Sequence, residues 1–165
     1  MWTIVKFDKK YLSTLKKELS NKLKGNLIFY SPKILIQKYR KNKLVNIETN
    51  IVGDYLFCFH EDFKDPTTFK KLQFCKGLKY FLFGCSQSQN EIHNFIEKCK
   101  NSEDANGFIS STFYEICKNT NYKLATGPFA EKIFKMVNFQ RNKIEGFLGN
   151  IKTTIKRDKF LYSPV

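Results

Sequence analysis

The sequence predicts an α+β fold with a mostly antiparallel sheet flanked by helices, followed by a small β-rich module. Three observations predict it. Short apolar segments, rich in Phe, Tyr, Ile and Leu, alternate with three stretches of helical periodicity over the first hundred residues. A polar, turn-rich stretch, KNSEDANG (100–107), then interrupts the pattern. After it the apolar runs are short and the turn residues frequent. The expected division is residues 1–100, a linker over 101–120 and a module over 121–165.

The elements follow in order. Trp2–Phe7 (WTIVKF) is a strand, and Asp8 is placed to cap the helix after it. Tyr11, Leu12, Leu15, Leu19 and Leu23 recur at helical spacing up to Gly25. Leu27–Tyr30 is a strand that Ser31-Pro32 bends. Lys33–Arg40 and Leu44–Thr49 flank the polar tip KNK and read as a hairpin. Gly53-Asp54 marks a kink before the aromatic strand Tyr55–Phe59. Asp65 caps a helix with Pro66 in its first turn, running through Phe69 and Leu72. Leu78–Phe83 is a strand, and Ser88–Glu91 opens a third helix with Ile92, Phe95, Ile96 and Cys99 on one stripe. Phe108, Ile109, Phe113, Tyr114 and Ile116 imply that the end of the linker packs on something.

Composition bounds the function. Of 165 residues, 42% are hydrophobic, with 17 Phe and 8 Tyr, enough for a packed core. No apolar run approaches the roughly 18 residues that span a bilayer, and the first residues lack an export signal. A cytoplasmic protein with no membrane partner is expected. Five scattered cysteines, none in a C-x-x-C pair, read as small buried thiols rather than a disulfide framework or zinc site. No P-loop, dinucleotide fingerprint or metal-ligand spacing occurs, and His60 and His93 stand apart without a motif. Neither enzyme nor cofactor is expected.

The net charge is +14, with 29 basic against 15 acidic residues, which attracts polyanions. Only Arg40, Arg141 and Arg157 are arginine. Lysine is a point charge suited to phosphate, whereas arginine's fork suits guanine. Backbone attraction is therefore expected over base reading. Lys9, Lys10, Lys16 and Lys17 line the first helix opposite its apolar stripe, either as a solvated face or as a phosphate-tracking one. Lys38, Arg40 and Lys41 charge the hairpin. Tyr11 can stack on a base or flank the core.

Two segments carry a family resemblance. Tyr122–Ala130 (YKLATGPFA) resembles the opening of a KOW module, where a strand ends in a Gly-Pro-Phe turn. Ile51–Phe57 (IVGDYLF) resembles the segment written hydrophobic-Phe-Pro-Gly/Asn-Tyr-Leu-Phe. With Trp2, the Lys-Gly-Leu before Tyr80, and the element order, the chain resembles the NusG family of transcription elongation factors. Asp65–Thr68 and Lys143–Leu148 bring it nearest to the RfaH-like specialised paralogues. Gly53 stands where the pattern has Pro, Val52 where it has Phe, and Lys132–Phe134 where a glycine is usual.

The resemblance implies an NGN-type first domain and a KOW-type tail, as a β-barrel or an α-helical hairpin. It implies contact with the β′ clamp helices of RNA polymerase through Ile51, Val52, Tyr55 and Phe57, against the alternative that these are core. Thr68 matches a segment that touches the β subunit, against the alternative that it sits in the first turn of a helix. Lys9, Lys10, Tyr11, Lys16 and Lys17 match a helix lying on non-template DNA. The tail is implied to engage a ribosomal protein or Rho. The implied activity is elongation or antitermination, suppressing pausing or termination; a module binding structured RNA without polymerase is the alternative. In the corner itself, Gly127 is free to take a positive φ, Pro128 sets the next, and Phe129 is expected to plug the barrel end. Ile144, Phe147, Leu148, Ile151 and Ile155 fit a helical stripe, while Ile144, Gly146, Leu148 and Ile151, Thr153, Ile155 fit strands.

Overall fold

The computed structural model describes residues 1–110, 113–114, 117–157 and 160–165, so Ile116 lies outside the described residues. The chain forms two compact units: Met1–Pro32 with Asn50–Lys98, and Lys33–Thr49 with Cys99–Val165. The hairpin that sequence order places in the first domain thus groups with the C-terminal residues.

The first unit holds β1 (Trp2–Phe7), α1 (Leu12–Lys22), β2 (Ile28–Tyr30) and, after the hairpin described below, β5 (Tyr55–Phe59), α2 (Pro66–Leu72), β6 (Leu78–Phe81) and α3 (Gln89–Asn101, running past the unit's last residue). Its sheet has the order β2-β5-β1-β6, with antiparallel pairing throughout. Asp8 caps a single 3-10 turn, Lys9–Tyr11, by accepting from the Lys10 N–H at 3.0 Å, and α1 starts only after it. α1 buries Leu15 and Leu19, the apolar stripe expected of it. Asp65 caps α2 by accepting from the Thr67 N–H at 2.9 Å, with Pro66 in the first turn.

Both faces of this sheet are covered. On one, Val5, Phe7, Leu56 and Cys58 pack with Leu15 and Leu19 of α1 and Leu72 of α2. On the other, Phe57 packs with Ile92, Phe95 and Ile96 of α3, beside Ile4, Tyr30 and Val52. Alternation of side chains along a strand puts Leu56 and Phe57 on opposite faces. Here both faces exclude water, so three consecutive residues of β5 are buried.

The second unit contains the hairpin β3 (Lys33–Arg40) and β4 (Lys43–Asn50, whose last residue falls in the first unit), and a five-stranded sheet. That sheet comprises β7 (Asn121–Leu124), β8 (Ile133–Gln140), β9 (Lys143–Leu148), β10 (Ile151–Lys156) and β11 (Tyr162–Pro164), in the order β10-β9-β8-β7-β11. Tyr122, Leu124, Phe134, Met136, Ile144, Ile155 and Tyr162 form its core. The helical-hairpin alternative for the tail is not what the structure holds. Ile144 and Ile155 are cross-strand partners in the core, whereas Phe147 and Ile151 are exposed. The strand period describes the segment, and the helical one does not.

An isolated hairpin is marginal in water. This one is tied down by the Gln37 N–H donating to the Ala125 carbonyl at 2.6 Å. The Gly127 N–H donates to Gln37 Oε1 at 2.7 Å. Gly127 sits at φ 84, and a Cβ there would collide with the Phe160 ring. The sharp Gly-Pro corner is therefore real, but its filling differs from expectation. Phe129 is 44% exposed, while its neighbour Ala130 is buried and Phe160 packs against the core of the second unit.

Candidate interaction surfaces

The residues expected to bind polymerase lie in the first unit, and the structure separates them. The turn ahead of β5 is built by Asn50, whose Nδ2 donates to the carbonyls of Gly53 (2.8 Å) and Tyr55 (3.0 Å). Its Oδ1 accepts from the Val52 N–H at 3.2 Å, and the Ile51 N–H donates to the Pro32 carbonyl at 3.0 Å. Gly53 takes φ 64, a conformation its lack of a Cβ permits. Ile51, Val52 and Tyr55 are half-buried around this turn. Phe57 is only 4% exposed, its ring 5.7 Å from Phe95 of α3. It is core in this conformation, because α3 covers the face it shares with Tyr55. Thr68 is 6% exposed, in the helix that packs on the opposite face. Neither Phe57 nor Thr68 presents a surface to a partner.

Tyr55 belongs to a row the sequence reading missed. β1 pairs Lys6 with Tyr55 on one side and with Tyr80 on the other. The Lys6 ammonium sits 4.3 Å from the Tyr55 ring centroid, and the two tyrosine hydroxyls are 3.2 Å apart. That hydrogen bond, with some desolvation, raises the Tyr80 hydroxyl above its ordinary pKa. At the end of the row, Asp54 pairs with Lys9 at 3.0 Å and Lys6 at 3.8 Å. The hydrogen bond from Lys9 holds its carboxyl below the usual carboxylate range, and the Lys9, Lys6 and Lys79 charges add to this. No local motif announces the row; only strand register brings Lys6, Tyr55 and Tyr80 together.

The residues expected to bind nucleic acid fall in both units. Lys9, Lys10 and Lys17 are exposed. Lys16 is half-buried, its ammonium 5.3 Å from the Phe29 ring. Tyr11 is half-buried between Lys10 (5.5 Å) and Lys76 (4.9 Å), so its face is already taken by cations. Lys38, Arg40 and Lys41 are exposed on the hairpin of the second unit. Lys41 and Asn42 at its tip both take positive φ (47 and 59), the geometry of a tight primed turn.

His60 has a structural role in the first unit. It is buried, its Nε2 lies 3.1 Å from the Lys24 carbonyl, and its Nδ1 accepts from the Asp62 N–H at 3.2 Å. The second bond assigns the proton to Nε2, which then donates to Lys24. Among the described residues no group of three or more His, Cys, Asp or Glu is placed to hold a metal ion. Among them, too, no helix is long and apolar enough to cross a membrane.

The class these features define is an α+β protein with a helix-covered antiparallel sheet, a β-rich second unit and a lysine-rich surface. No protein-family model matches the sequence, and no curated protein matches it. Among solved structures it is similar to the MjSpt4:Spt5 complex in its conformation B, with a TM-score of 0.30 and 11% identity over 100% of this chain and 97% of that one. It is also similar to Thermotoga maritima NusG, with a TM-score of 0.33 and 10% identity over 97% of this chain and 95% of that one.

Proposed function

We propose that the chain is a transcription elongation factor that docks on RNA polymerase and suppresses pausing or termination. The observation that carries this reading is the turn at Gly53-Asp54. It delivers Tyr55 to the surface, in a segment whose sequence resembles the clamp-binding strand of the NusG family. The order of elements in the first unit and the Gly127-Pro128 corner of the second support it. Tyr55, with Ile51 and Val52, is the part that contacts the β′ clamp helices. Amphipathic aromatic side chains serve as anchors in such interfaces. Lys9, Lys10 and Lys17 reach for the phosphates of non-template DNA, a salt-sensitive attraction that needs no base reading. The C-terminal unit recruits a further component, Rho or a ribosomal protein. The role is one of binding, with the chain acting where transcription occurs.

Retention of purified RNA polymerase by the immobilised chain tests the reading. Wild type retains it, and Tyr55→Ala lowers retention at least about tenfold, the effect of losing one aromatic hot spot. Retention by neither protein rejects the docking on polymerase, and retention by both alike rejects Tyr55 as the anchor. A chain that retains structured RNA but no polymerase is instead an RNA-binding module, the reading its +14 charge favours.

A further inference from the structure

The second unit carries the same sequence pattern at two hairpin tips, with both turn residues at positive φ in the first and only the leading one in the second. At the β3–β4 tip the sequence is Tyr-Arg-Lys-Asn-Lys-Leu (39–44), and at the β8–β9 tip it is Phe-Gln-Arg-Asn-Lys-Ile (139–144). Each places an aromatic residue on the incoming strand, a basic residue and Asn in the turn, and Lys then an aliphatic residue on the outgoing strand. The basic residue that opens each turn, Lys41 or Arg141, takes a left-handed φ of 47 or 48. Gly, Asn or Asp adopts that conformation more readily, so backbone economy does not explain a long cation there.

The surroundings of the second tip point the same way. β9 and β10 pair Lys143 directly with Lys156, two like charges side by side across the ladder. The next residue, Arg157, donates its backbone N–H to the Asn142 carbonyl at 3.0 Å, and its guanidinium lies 5.6 Å from the Phe139 ring centroid. Two of the chain's three arginines therefore meet at this end of the sheet. Arg141, Lys143 and Lys156 are exposed, and among the described residues no carboxylate pairs with any of them or with Arg157. Glu145, two residues on, pairs instead with Lys152 at 3.8 Å. Mutual repulsion of this kind is relieved by an anion.

We propose that the Arg141–Lys143 turn, with Lys156 beside it, is a contact site for the phosphodiester backbone of a nucleic acid. Lys143 and Lys156 lie opposite each other on paired strands and Arg141 sits in the turn beside them, so the backbone brings three cations to one end of the sheet. The aromatic neighbour Phe139 is engaged by Arg157, which leaves the site with charges and no open stacking surface. It therefore grips phosphates and reads no sequence. This site is independent of the proposed docking on polymerase through Tyr55.

The test is fluorescence anisotropy of the full chain with a short labelled single-stranded RNA of mixed sequence, over a series of salt concentrations. Arg141→Asn/Lys143→Gln removes two charges and places in the turn a residue that tolerates its φ, so the fold is retained, as circular dichroism will report. Affinity is expected to fall about tenfold, and the slope of log K against log salt to shrink by about 1.4. Arg141→Lys restores the binding. Lys156→Gln, on a regular strand, gives an independent reading with a loss of roughly threefold. Lys70→Gln/Lys71→Gln on α2 removes equal charge from the first unit and changes affinity no more than about twofold. DNA of the same sequence behaves as RNA does. The proposal is overturned if the turn variants bind like wild type, if the α2 control loses as much, or if the loss occurs with RNA alone. Each of these results leaves retention of polymerase through Tyr55 unaffected.

Discussion

The two units bury their strands in different ways. In the first, β5 runs between two helix-covered faces, and Leu56, Phe57 and Cys58 are all core. In the second, β7 and the first half of β8 alternate buried and exposed residues, because only one face of the sheet is packed. The same kind of residue thus carries different weight in each. In β5, Phe57 is structural because α3 covers its face. In β9, Phe147 points outward and Ile144 inward. α3 thus withholds Phe57 from solvent, while Phe147 in β9 is exposed; elsewhere in the first unit Phe74 and Phe83 are exposed as well.

The largest effect that would break this comparison is at Phe57. Phe57→Ala is expected to destabilise the first unit by about 3–5 kcal/mol, as a buried ring deletion does, seen as a lower denaturation midpoint. A loss below about 1 kcal/mol would mean that α3 does not seal that face. Next comes Gly127→Ala, expected to cost about 1–3 kcal/mol from the φ 84 backbone and the collision with Phe160. A neutral result there would show that the corner between β7 and β8 relaxes freely.

A subtler probe is acid titration. The Thr67 hydroxyl and N–H hold the Asp65 carboxyl below its ordinary 3.8. Its folded pKa is depressed, so its contribution to stability is fully present above the unfolded value and fades as pH falls through the folded one. Asp65→Ala should lower stability at neutral pH and flatten the acid limb below about pH 4. An unchanged acid limb would assign that limb to other carboxylates, Asp54 with its Lys9 partner first among them. The smallest effect belongs to Phe147→Ala, which should stay within about 0.5 kcal/mol by the same denaturation measurement. A larger loss would show that the outer face of the second sheet is packed after all.

Much of the architecture was legible because its signals are local. Asp65-Pro66 announces a helix start within two residues, Leu15 and Leu19 announce an apolar stripe, and Gly127-Pro128 announces a corner. The tail's two competing periods were not resolved locally. Ile144 fits either, and only its pairing with Ile155 decided for strands. The candidate surfaces were less legible for the same reason. Phe57 and Tyr55 lie two apart and share a face, yet α3 ends the exposure of one and not the other. Lys6 and Tyr80 carry no motif and join Tyr55 only through register.

By itself the sequence determined the elements, the excess of lysine and the sharp corner, since propensity, charge and backbone freedom act over a few residues. Tertiary structure decided which aromatics reach solvent, which cations gather at the Arg141 turn, and which unit the basic hairpin joins. Those depend on what packs across a sheet or lies opposite on the next strand, and neighbours along the chain do not encode it.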